Sequence, residues 1–252
     1  VLAKEVPGID IIVGAHSHAR IPEPQVVNGT IILQAYEKGA ELGRLDLQLE
    51  RDGGVCHIIS HSNKLIPVTK DIPEDRATAK VVSKYYDPIA REYGRVIGKA
   101  TATFYDDREH ESTALNLVCD AIREKAKTPI SFYGYGGIRA DLLAGPIKAW
   151  DVATVLPFKH KIVILDMTGA RLKQAIDELT YKPGVSGMRY HTVNKKLVEA
   201  TLLDGKPIED NMTYQVATID WLVGLYFKDV TSRRVLDATS YSAVVDYIKA
   251  RR

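Results

Sequence analysis

Two histidines at the end of an apolar run are the first residues of this chain that could do chemistry. His16 and His18 follow residues 9–13 in the run IIVGAHSH. In an extended chain, residues i and i+2 face the same side, so both imidazoles are predicted to point to one spot. Neutral imidazole binds zinc, manganese and iron, but a catalytic site needs at least three ligands. The spacing predicts part of a metal site, with an ordinary surface pair as the alternative.

A glycine-rich segment that ends in arginine is the second candidate. Residues 130–133 are predicted to form a strand, and Gly134, Gly136, Gly137 and Arg139 follow it. Glycines let the backbone approach a ligand closely, and a guanidinium suits carboxylate or phosphate. A tight turn followed by a surface arginine is the alternative interpretation. The segment is not a P-loop, because it lacks the Lys-Ser/Thr ending.

Arg108 and Phe158 are further candidates for contacts with a ligand. Arg108 lies in the charged run DDREHES, just before a helix that Ser112 is predicted to cap, and a solvated loop is the alternative. Phe158 ends a helical stretch in the run Leu-Pro-Phe, and it either packs in the core or presents a face for stacking. Stacking of a base on an aromatic ring is worth roughly 1–3 kcal/mol.

The elements that must position these residues are predicted from periodicity and from turn residues. The pattern indicates mainly β-structure before residue 67, with a hairpin closed by Asn28 and Gly29, then a long helix, then mixed α and β. The predicted strands are residues 9–13, 42–49, 96–103, 130–133 and 161–167. The predicted helices are residues 72–93, 112–127, 168–179 and 241–250. Residues 197–203 and 213–218 are predicted to form a hairpin of strands.

Composition limits the function classes. The chain has 252 residues, a net charge of +2 and two cysteines, Cys56 and Cys119. They are predicted to be buried free thiols, with a disulfide as the alternative. The balanced charge gives no reason to expect nucleic acid or an anionic membrane as a partner. No apolar stretch reaches the roughly 18 residues that a membrane-spanning helix needs. The chain begins at Val1 without a signal peptide, and we expect it to be a fragment that lacks its upstream part.

Several segments, in this order, resemble the 5′-nucleotidase family of metallophosphatases. The run VPGIDIIVGAHSH is similar to the last metal-binding motif of that family, and VVNGTIILQAYEKGAELGRLDL to the strands after it. HESTALNLVCDAI, GGIRADLLAGPIKAWDVATVLPF and ILDMTGARLKQAIDE resemble its C-terminal nucleotide-binding domain. The resemblance implies an α+β fold. Residues 1–70 would be the distal, β-rich part of an α/β/β/α metallophosphatase sandwich, 71–95 a linker helix, and 96–252 a mixed α/β substrate-binding domain.

The same resemblance implies hydrolysis of phosphate esters by in-line attack on phosphorus at a two-metal site. His16 and His18 would be two of the ligands, and the other ligands and the catalytic Asn-His pair would lie before Val1. The full-length enzyme would hold two divalent ions, zinc, manganese or similar. This chain alone would contain no catalytic residue and would be inactive, and whether it holds a metal ion stays open.

The substrate pocket implied by the resemblance lies in the C-terminal domain. Arg108 and Arg139 would hold the phosphate or other polar groups of the nucleotide, and two glycines would let the backbone approach it. Phe158 would stack on one face of the base. Phe227, or Tyr226 as the alternative, would stack on the other face. Gly134 replaces an Asn of the family pattern, and WLVGLYFK (residues 221–228) replaces its Gly-Gly-Asp-Gly-Phe/Tyr loop, which puts recognition of an ordinary 5′-mononucleotide in doubt. The substrate-binding residues implied are Arg108, Gly136, Gly137, Arg139, Phe158 and Phe227.

Three functional interpretations stay open. The chain is the C-terminal portion of a nucleotide phosphohydrolase, a non-catalytic nucleotide- or ligand-binding module, or part of a hydrolase of 2′,3′-cyclic nucleotides or nucleotide sugars. The expected partner is a nucleotide or another phosphorylated small molecule, with no nucleic acid and no membrane span, and the oligomeric state is not predicted. The residues do not indicate a compartment, but the resemblance implies the periplasm, the cell surface or secretion.

Overall fold

The computed structural model describes residues 1–107, 110–179 and 183–251. The fold is mixed α/β, as predicted, and the chain divides into two compact units, Val1–Val82 and Ser83–Arg252. No helix in the described part of the chain is long and apolar enough to cross a membrane.

The first unit is rich in β-structure. Its elements are α1 (Leu2–Glu5), β1 (Ile11–Val13), β2 (Gln25–Val27), β3 (Thr30–Leu33), β4 (Glu41–Asp52) and β5 (Val55–Pro67). The strands β1, β3 and β2 form a three-stranded sheet in that order, with β1 parallel to β3, and β4 pairs with β5 in a long antiparallel hairpin. Asn28 and Gly29 have φ values of 49° and 82°, which confirms the predicted two-residue turn between β2 and β3.

Few apolar side chains of the first unit are buried. Ala3, Ile31 and Leu33 are buried, but Val13, in a segment predicted to be a buried strand, is 76% exposed. The reason is that β1 lies at the edge of its sheet and pairs with β3 alone. Cys56 is likewise exposed on β5, so the prediction of a buried thiol is wrong there.

A helix of 18 residues, α2 (Arg76–Tyr93), crosses the division between the two units and contains Pro88. Asp75 Oδ1 accepts a hydrogen bond from the backbone N–H of Thr78 at 2.8 Å. This bond satisfies one of the free N–H groups of the first turn and lowers the pKa of the Asp75 carboxyl from its usual value. The helix therefore ends before Gly94, as predicted, but it begins at Arg76 and not at residue 72, because Asp75 caps it from outside its first turn.

The second unit is built on a mixed five-stranded sheet. The strands of this unit are β6 (Val96–Ala100), β7 (Ile130–Tyr133), β8 (Gly145–Lys148), β9 (Lys161–Thr168), β10 (Gly184–Ser186), β11 (Met188–Val193), β12 (Lys196–Leu202), β13 (Thr213–Ile219) and β14 (Arg233–Thr239). The order in the sheet is β10-β7-β13-β9-β14, with β7 parallel to β13 and the other neighbours antiparallel. The remaining strands form the pairs β6–β8 and β11–β12.

One predicted pairing in this unit is wrong. The segments 197–203 and 213–218 do form strands, but β12 pairs with β11, and β13 lies between β7 and β9. The end of β13 is buried from Val216 to Ile219, so this strand belongs in the centre of the sheet. Alternation along a strand predicts which side is buried, but it does not identify the partner strand.

Helices of the second unit pack on the sheet around one core. They are α3 (Thr113–Ala126), α4 (Ala149–Val155), α5 (Gly169–Glu178), α6 (Asp220–Tyr226) and α7 (Ser240–Ala250). Ser112 Oγ accepts from the backbone N–H of Leu115 at 3.1 Å, which confirms the predicted cap of α3. α3 packs against α7, β7 and β10, and Cys119 of α3 is a buried free thiol. The core therefore lies wholly within the second unit, between Ile97 and Ile248.

Candidate functional site

The glycine-rich loop after β7 rests on the buried side chain of Tyr133. Gly134 leads into a single 3₁₀ turn, Tyr135–Gly137. A Cβ at Gly137 would lie 2.2 Å from the Tyr133 hydroxyl oxygen, so only glycine fits at this position. Burial raises the pKa of the Tyr133 phenol, which keeps it neutral. Of the two predicted ligand-contacting glycines of the loop, Gly137 is buried against the core, and Gly136 is exposed.

Arg139 follows this loop, and its backbone is fixed to the end of α4. The N–H of Arg139 donates to the carbonyl oxygen of Val155 at 3.0 Å. Its guanidinium carbon lies 5.9 Å from the centroid of the Phe158 ring, within the range of a cation–π contact. The structure therefore brings together two residues that were predicted separately. Arg108, the second predicted arginine, lies outside the described residues.

Phe158 is the first ring in a row of three. Its centroid lies 5.5 Å from that of His160, and His160 lies 6.2 Å from Trp221, with interplanar angles of 33° and 34°. Phe158 is 53% exposed and Trp221 is 45% exposed. A Cβ at Gly136 would lie 3.5 Å from the Trp221 ring, so the row ends beside the glycine-rich loop. We call Arg139, Phe158, His160 and Trp221 the arginine–aromatic cluster.

Asp220 holds the imidazole at the centre of this cluster. Its Oδ1 lies 3.2 Å from His160 Nδ1, and it also accepts the backbone N–H of Trp221 at 2.7 Å. The neighbouring Lys159 has a φ of 50°, and its ammonium donates to the hydroxyl of Tyr93 at 3.0 Å. The cluster thus contains one cation, Arg139, and one histidine paired with a carboxylate.

His160 and Trp221 are not among the residues predicted from the sequence. They come together because β9 and β13 are antiparallel, with Ile162 opposite Ile219. This register places the residue that precedes β9 beside the residues that follow β13. The available signals were the position of His160 directly after Leu-Pro-Phe-Lys and the lone tryptophan in the altered loop. Neither signal identifies a partner without the pairing of the two strands.

The structure places Phe227 in the core and not beside the cluster. Its ring is 1% exposed and packs edge-on against Phe132, with centroids 5.8 Å apart. The guanidinium of Arg171 lies 5.1 Å from the Phe227 centroid and donates both to the carbonyl oxygen of Tyr226 and to Asp229. These contacts hold the Phe227 ring in the core directly after α6. Phe227 therefore has no exposed face for the predicted stacking on a base.

The predicted metal ligands of the first unit lie in a loop. β1 ends at Val13, and His16 and His18 have φ values of 52° and 55°, so the extended conformation assumed from the spacing does not hold. Both histidines are exposed. Glu37 Oε2 lies 2.6 Å from His18 Nδ1, which leaves Nε2 of His18 for a ligand. A carboxylate on the second ring nitrogen is the usual way in which metal-binding imidazoles are oriented.

The buried side chain of Gln34 organises this loop. With its amide oriented to satisfy its neighbours, it accepts from the backbone N–H groups of His18 at 3.0 Å and Ala19 at 2.6 Å, and it donates to the carbonyl oxygen of Ala15 at 3.1 Å. A Cβ at Gly14 would lie 2.7 Å from the end of this amide. Gln34 and Gly14 therefore determine where the two histidines are held.

This donor set fits part of a site for divalent metal ions. It contains two imidazoles, His16 and His18, and Glu37 orients one of them, which suits zinc or manganese. Within residues 1–107, 110–179 and 183–251, no group of three or more His, Cys, Asp or Glu side chains is arranged to hold a metal ion. The described residues can thus supply two ligands, and a complete site would need more.

Comparison with known protein families gives one match that covers just over half of the chain. Residues 96–226 match the family model for the 5′-nucleotidase C-terminal domain. All residues of the arginine–aromatic cluster lie within the matched range.

Two curated relatives extend the similarity to most of the chain. It is 28% identical to the trifunctional nucleotide phosphoesterase protein YfkN of Bacillus subtilis over 245 residues, which cover 86% of this chain and 17% of YfkN. It is 27% identical to the snake venom 5′-nucleotidase of Macrovipera lebetinus over 309 residues, covering 98% of this chain and 75% of the venom protein. This chain therefore spans only a minor part of YfkN.

A solved structure shares the fold. The 5′-nucleotidase precursor of Thermus thermophilus superimposes with a TM-score of 0.85 at 24% sequence identity, over 99% of this chain and 58% of that chain. The likeness supports the mixed α/β fold described above.

Proposed function

Because the chain belongs to the 5′-nucleotidase family, with the C-terminal domain of that family at residues 96–226, we propose that it is the substrate-binding portion of a nucleotide phosphohydrolase. The arginine–aromatic cluster is the observation that carries this proposal. It combines a cation with exposed aromatic rings. A guanidinium suits phosphate, and aromatic rings stack on bases, so the cluster matches both ends of a nucleotide.

Each member of the cluster has a proposed role. Arg139 holds an anionic or polar group of the nucleotide, and its backbone bond to Val155 keeps it in place. Phe158 and Trp221 offer their exposed faces to the base. Gly136 lets the backbone approach the ligand beside the Trp221 ring.

We propose the following division of the chain. Residues 1–70 are the distal part of an α/β/β/α metallophosphatase sandwich, 71–95 a linker helix and 96–252 the substrate-binding domain. The small buried apolar surface of the β-rich first unit supports the first assignment, since a complete domain buries a larger core. The similarity to a venom 5′-nucleotidase supports a location outside the cytoplasm.

His16 and His18 are proposed as ligands of two divalent ions in the full-length protein, zinc, manganese or similar, together with residues outside this chain. When bound, such ions polarise phosphoryl oxygens and activate water. Glu37 orients His18 through Nδ1. In the full-length protein, His16→Ala should lower the metal content per molecule, measured by plasma mass spectrometry, and His57→Ala on β5 is the control. An unchanged metal content in His16→Ala would contradict the role.

The substrate is proposed to differ in detail from an ordinary 5′-mononucleotide. At Gly134, a Cβ would lie 3.3 Å from a methyl group of the buried Leu222, so a larger side chain has little room there. Together with the inward position of Phe227, this departure from the family pattern is the reason to keep 2′,3′-cyclic nucleotides or nucleotide sugars as a second candidate substrate class. A substrate screen of the full-length protein with manganese or zinc separates these classes. Absence of turnover with all of them would favour a non-catalytic binding module.

Nucleotide binding by this chain tests the proposal directly. The chain contains two tryptophans, so Trp150→Phe leaves Trp221 as its single indole. We expect AMP to quench the fluorescence of Trp221. Arg139→Ala should weaken binding by at least about tenfold, because a hydrogen bond to a charged group contributes roughly 1.5–3 kcal/mol. Arg233→Ala, exposed on β14, is the matched control. Absence of binding by AMP, CMP and the other 5′-mononucleotides, cyclic nucleotides and nucleotide sugars would contradict the proposal.

A further inference from the structure

We infer that His160 reads the edge of the base and selects nucleotides whose base offers an N–H donor, such as an exocyclic amino group. This inference rests on the proposed function, because it assumes that a nucleotide occupies the arginine–aromatic cluster. It goes further by assigning specificity to a residue that the sequence did not single out.

The position of His160 is the first observation. Its ring lies between those of Phe158 and Trp221, at centroid distances of 5.5 and 6.2 Å. Its side chain is 18% exposed, much less than either neighbour. A base that stacks on an exposed face of either neighbour would bring its edge close to the imidazole. A polar ring at the centre of an aromatic row is therefore placed to form a hydrogen bond with that edge.

The protonation of the ring follows from its partner. An ionised carboxylate can only accept hydrogen bonds, and Asp220 Oδ1 lies 3.2 Å from His160 Nδ1. The backbone N–H of Trp221 also donates to this oxygen and fixes its position. Nδ1 of His160 must then carry the proton, and Nε2 of the neutral ring is an acceptor. Across the described residues, 1–107, 110–179 and 183–251, no protein group donates to Nε2.

An acceptor at this place discriminates between bases. An amino group would donate to Nε2, whereas a base without an N–H at that edge would leave this acceptor unpaired. Because a partly buried unpaired polar group is costly, discrimination by about tenfold is expected at a site that is still partly open to water. The cation of the cluster, Arg139, offers only donors and so cannot replace His160 in this role.

The test compares two nucleotides that differ in one amino group. AMP and purine riboside 5′-monophosphate are titrated into the whole chain at pH 8, with affinities measured by calorimetry. We expect AMP to bind about tenfold more tightly to the unmodified chain, and His160→Phe to bring the ratio close to one while both ligands still bind. Equal affinities in the unmodified chain, or an unchanged ratio in His160→Phe, would overturn the inference.

Further variants keep the test decisive. If His160→Phe does not fold, His160→Gln takes its place, since a carboxamide both donates and accepts and should also bring the ratio close to one.

Asp220→Leu tests the positioning of the imidazole. It should lower the preference for AMP and release the Nδ1–H tautomer, which is followed by the ¹⁵N shifts of labelled histidine. Asp237→Leu, exposed on β14, should change neither the preference nor the tautomer. A tautomer unchanged in Asp220→Leu would contradict the positioning role of Asp220. Failure of every nucleotide to bind would instead overturn the proposed function, and this inference with it.

Discussion

Single buried side chains shape the loops of both candidate sites. Tyr133 requires glycine at position 137, and the amide of Gln34 lies close against Gly14. In each case a polar side chain of a strand, or of the residue that follows it, supports a loop that carries exposed functional residues. The loops that carry the predicted functional residues are therefore supported by two side chains, Tyr133 and Gln34, that were not predicted to be functional.

Gln34→Leu tests this support in the first unit. The change leaves the N–H groups of His18 and Ala19 without their acceptor, so we expect a loss of about 1–3 kcal/mol of local stability. Amide hydrogen exchange at these two residues should become faster. Gln25→Leu, exposed on β2, should leave their exchange unchanged. Equal protection in Gln34→Leu and the unmodified chain would show that the amide does not hold the loop.

At the scale of elements, the segment after α6 shows how a local pattern can mislead. Tyr226 and Phe227 stand where the family resemblance implies an aromatic residue for stacking, yet Phe227 is buried and Tyr226 is partly buried. Arg171 of α5 donates to the carbonyl oxygen of Tyr226, and its guanidinium lies against the Phe227 ring. The Nε of Arg171 donates to Asp229 at 2.7 Å, and this bond lowers the pKa of the Asp229 carboxyl. We call this pair, Arg171 and Asp229, the clamp, and it joins α5 to the turn that follows α6.

The clamp predicts a dependence of stability on pH. Because the pKa of Asp229 is lower in the folded state, the unfolded chain binds more protons at acidic pH. The contribution of the Arg171–Asp229 pair to the free energy of unfolding is complete above 3.8, the ordinary pKa of an Asp carboxyl. It is lost as the pH falls through the lowered pKa of Asp229. Asp229→Asn should therefore lose less stability between pH 5 and pH 3, measured by urea unfolding. Asp237→Asn is the exposed control, and an acid dependence of Asp229→Asn equal to that of the unmodified chain would refute the coupling.

At the scale of the whole molecule, the two units differ in how much core they possess. The second unit contains the continuous core between Ile97 and Ile248, whereas the first unit buries only a few apolar side chains. Hydrophobic burial is the main term that favours folding, so most of the stability of the chain should come from the second unit.

The segment 83–252 should therefore fold by itself. It contains the whole core cluster and Tyr93, which packs against it. We expect its melting temperature, followed by circular dichroism, to lie within a few degrees of the main transition of the full chain. It should also keep the Arg139-dependent binding of AMP. A segment that is unfolded at room temperature would show that the first unit is needed for the stability of the second.

Local features of this protein are readable in its sequence because short-range physics decides them. The Asn28–Gly29 turn, the Ser112 cap and the strand at residues 130–133 all appear in the structure as predicted. Each depends on backbone conformations or hydrogen bonds within a few residues. The family motifs are also continuous in sequence, which is why the family itself could be identified from them.

The sequence alone thus determined the family, the main helices and strands, and the candidates Arg139 and Phe158. Only the tertiary structure decided that His160 and Trp221 complete the cluster, that Phe227 is buried, and that β13 lies at the centre of the sheet. These outcomes depend on which strands pair and in which register, as with Ile162 opposite Ile219. Pairing between strands distant in sequence is set by the packing of the whole core, and no local pattern of residues specifies it.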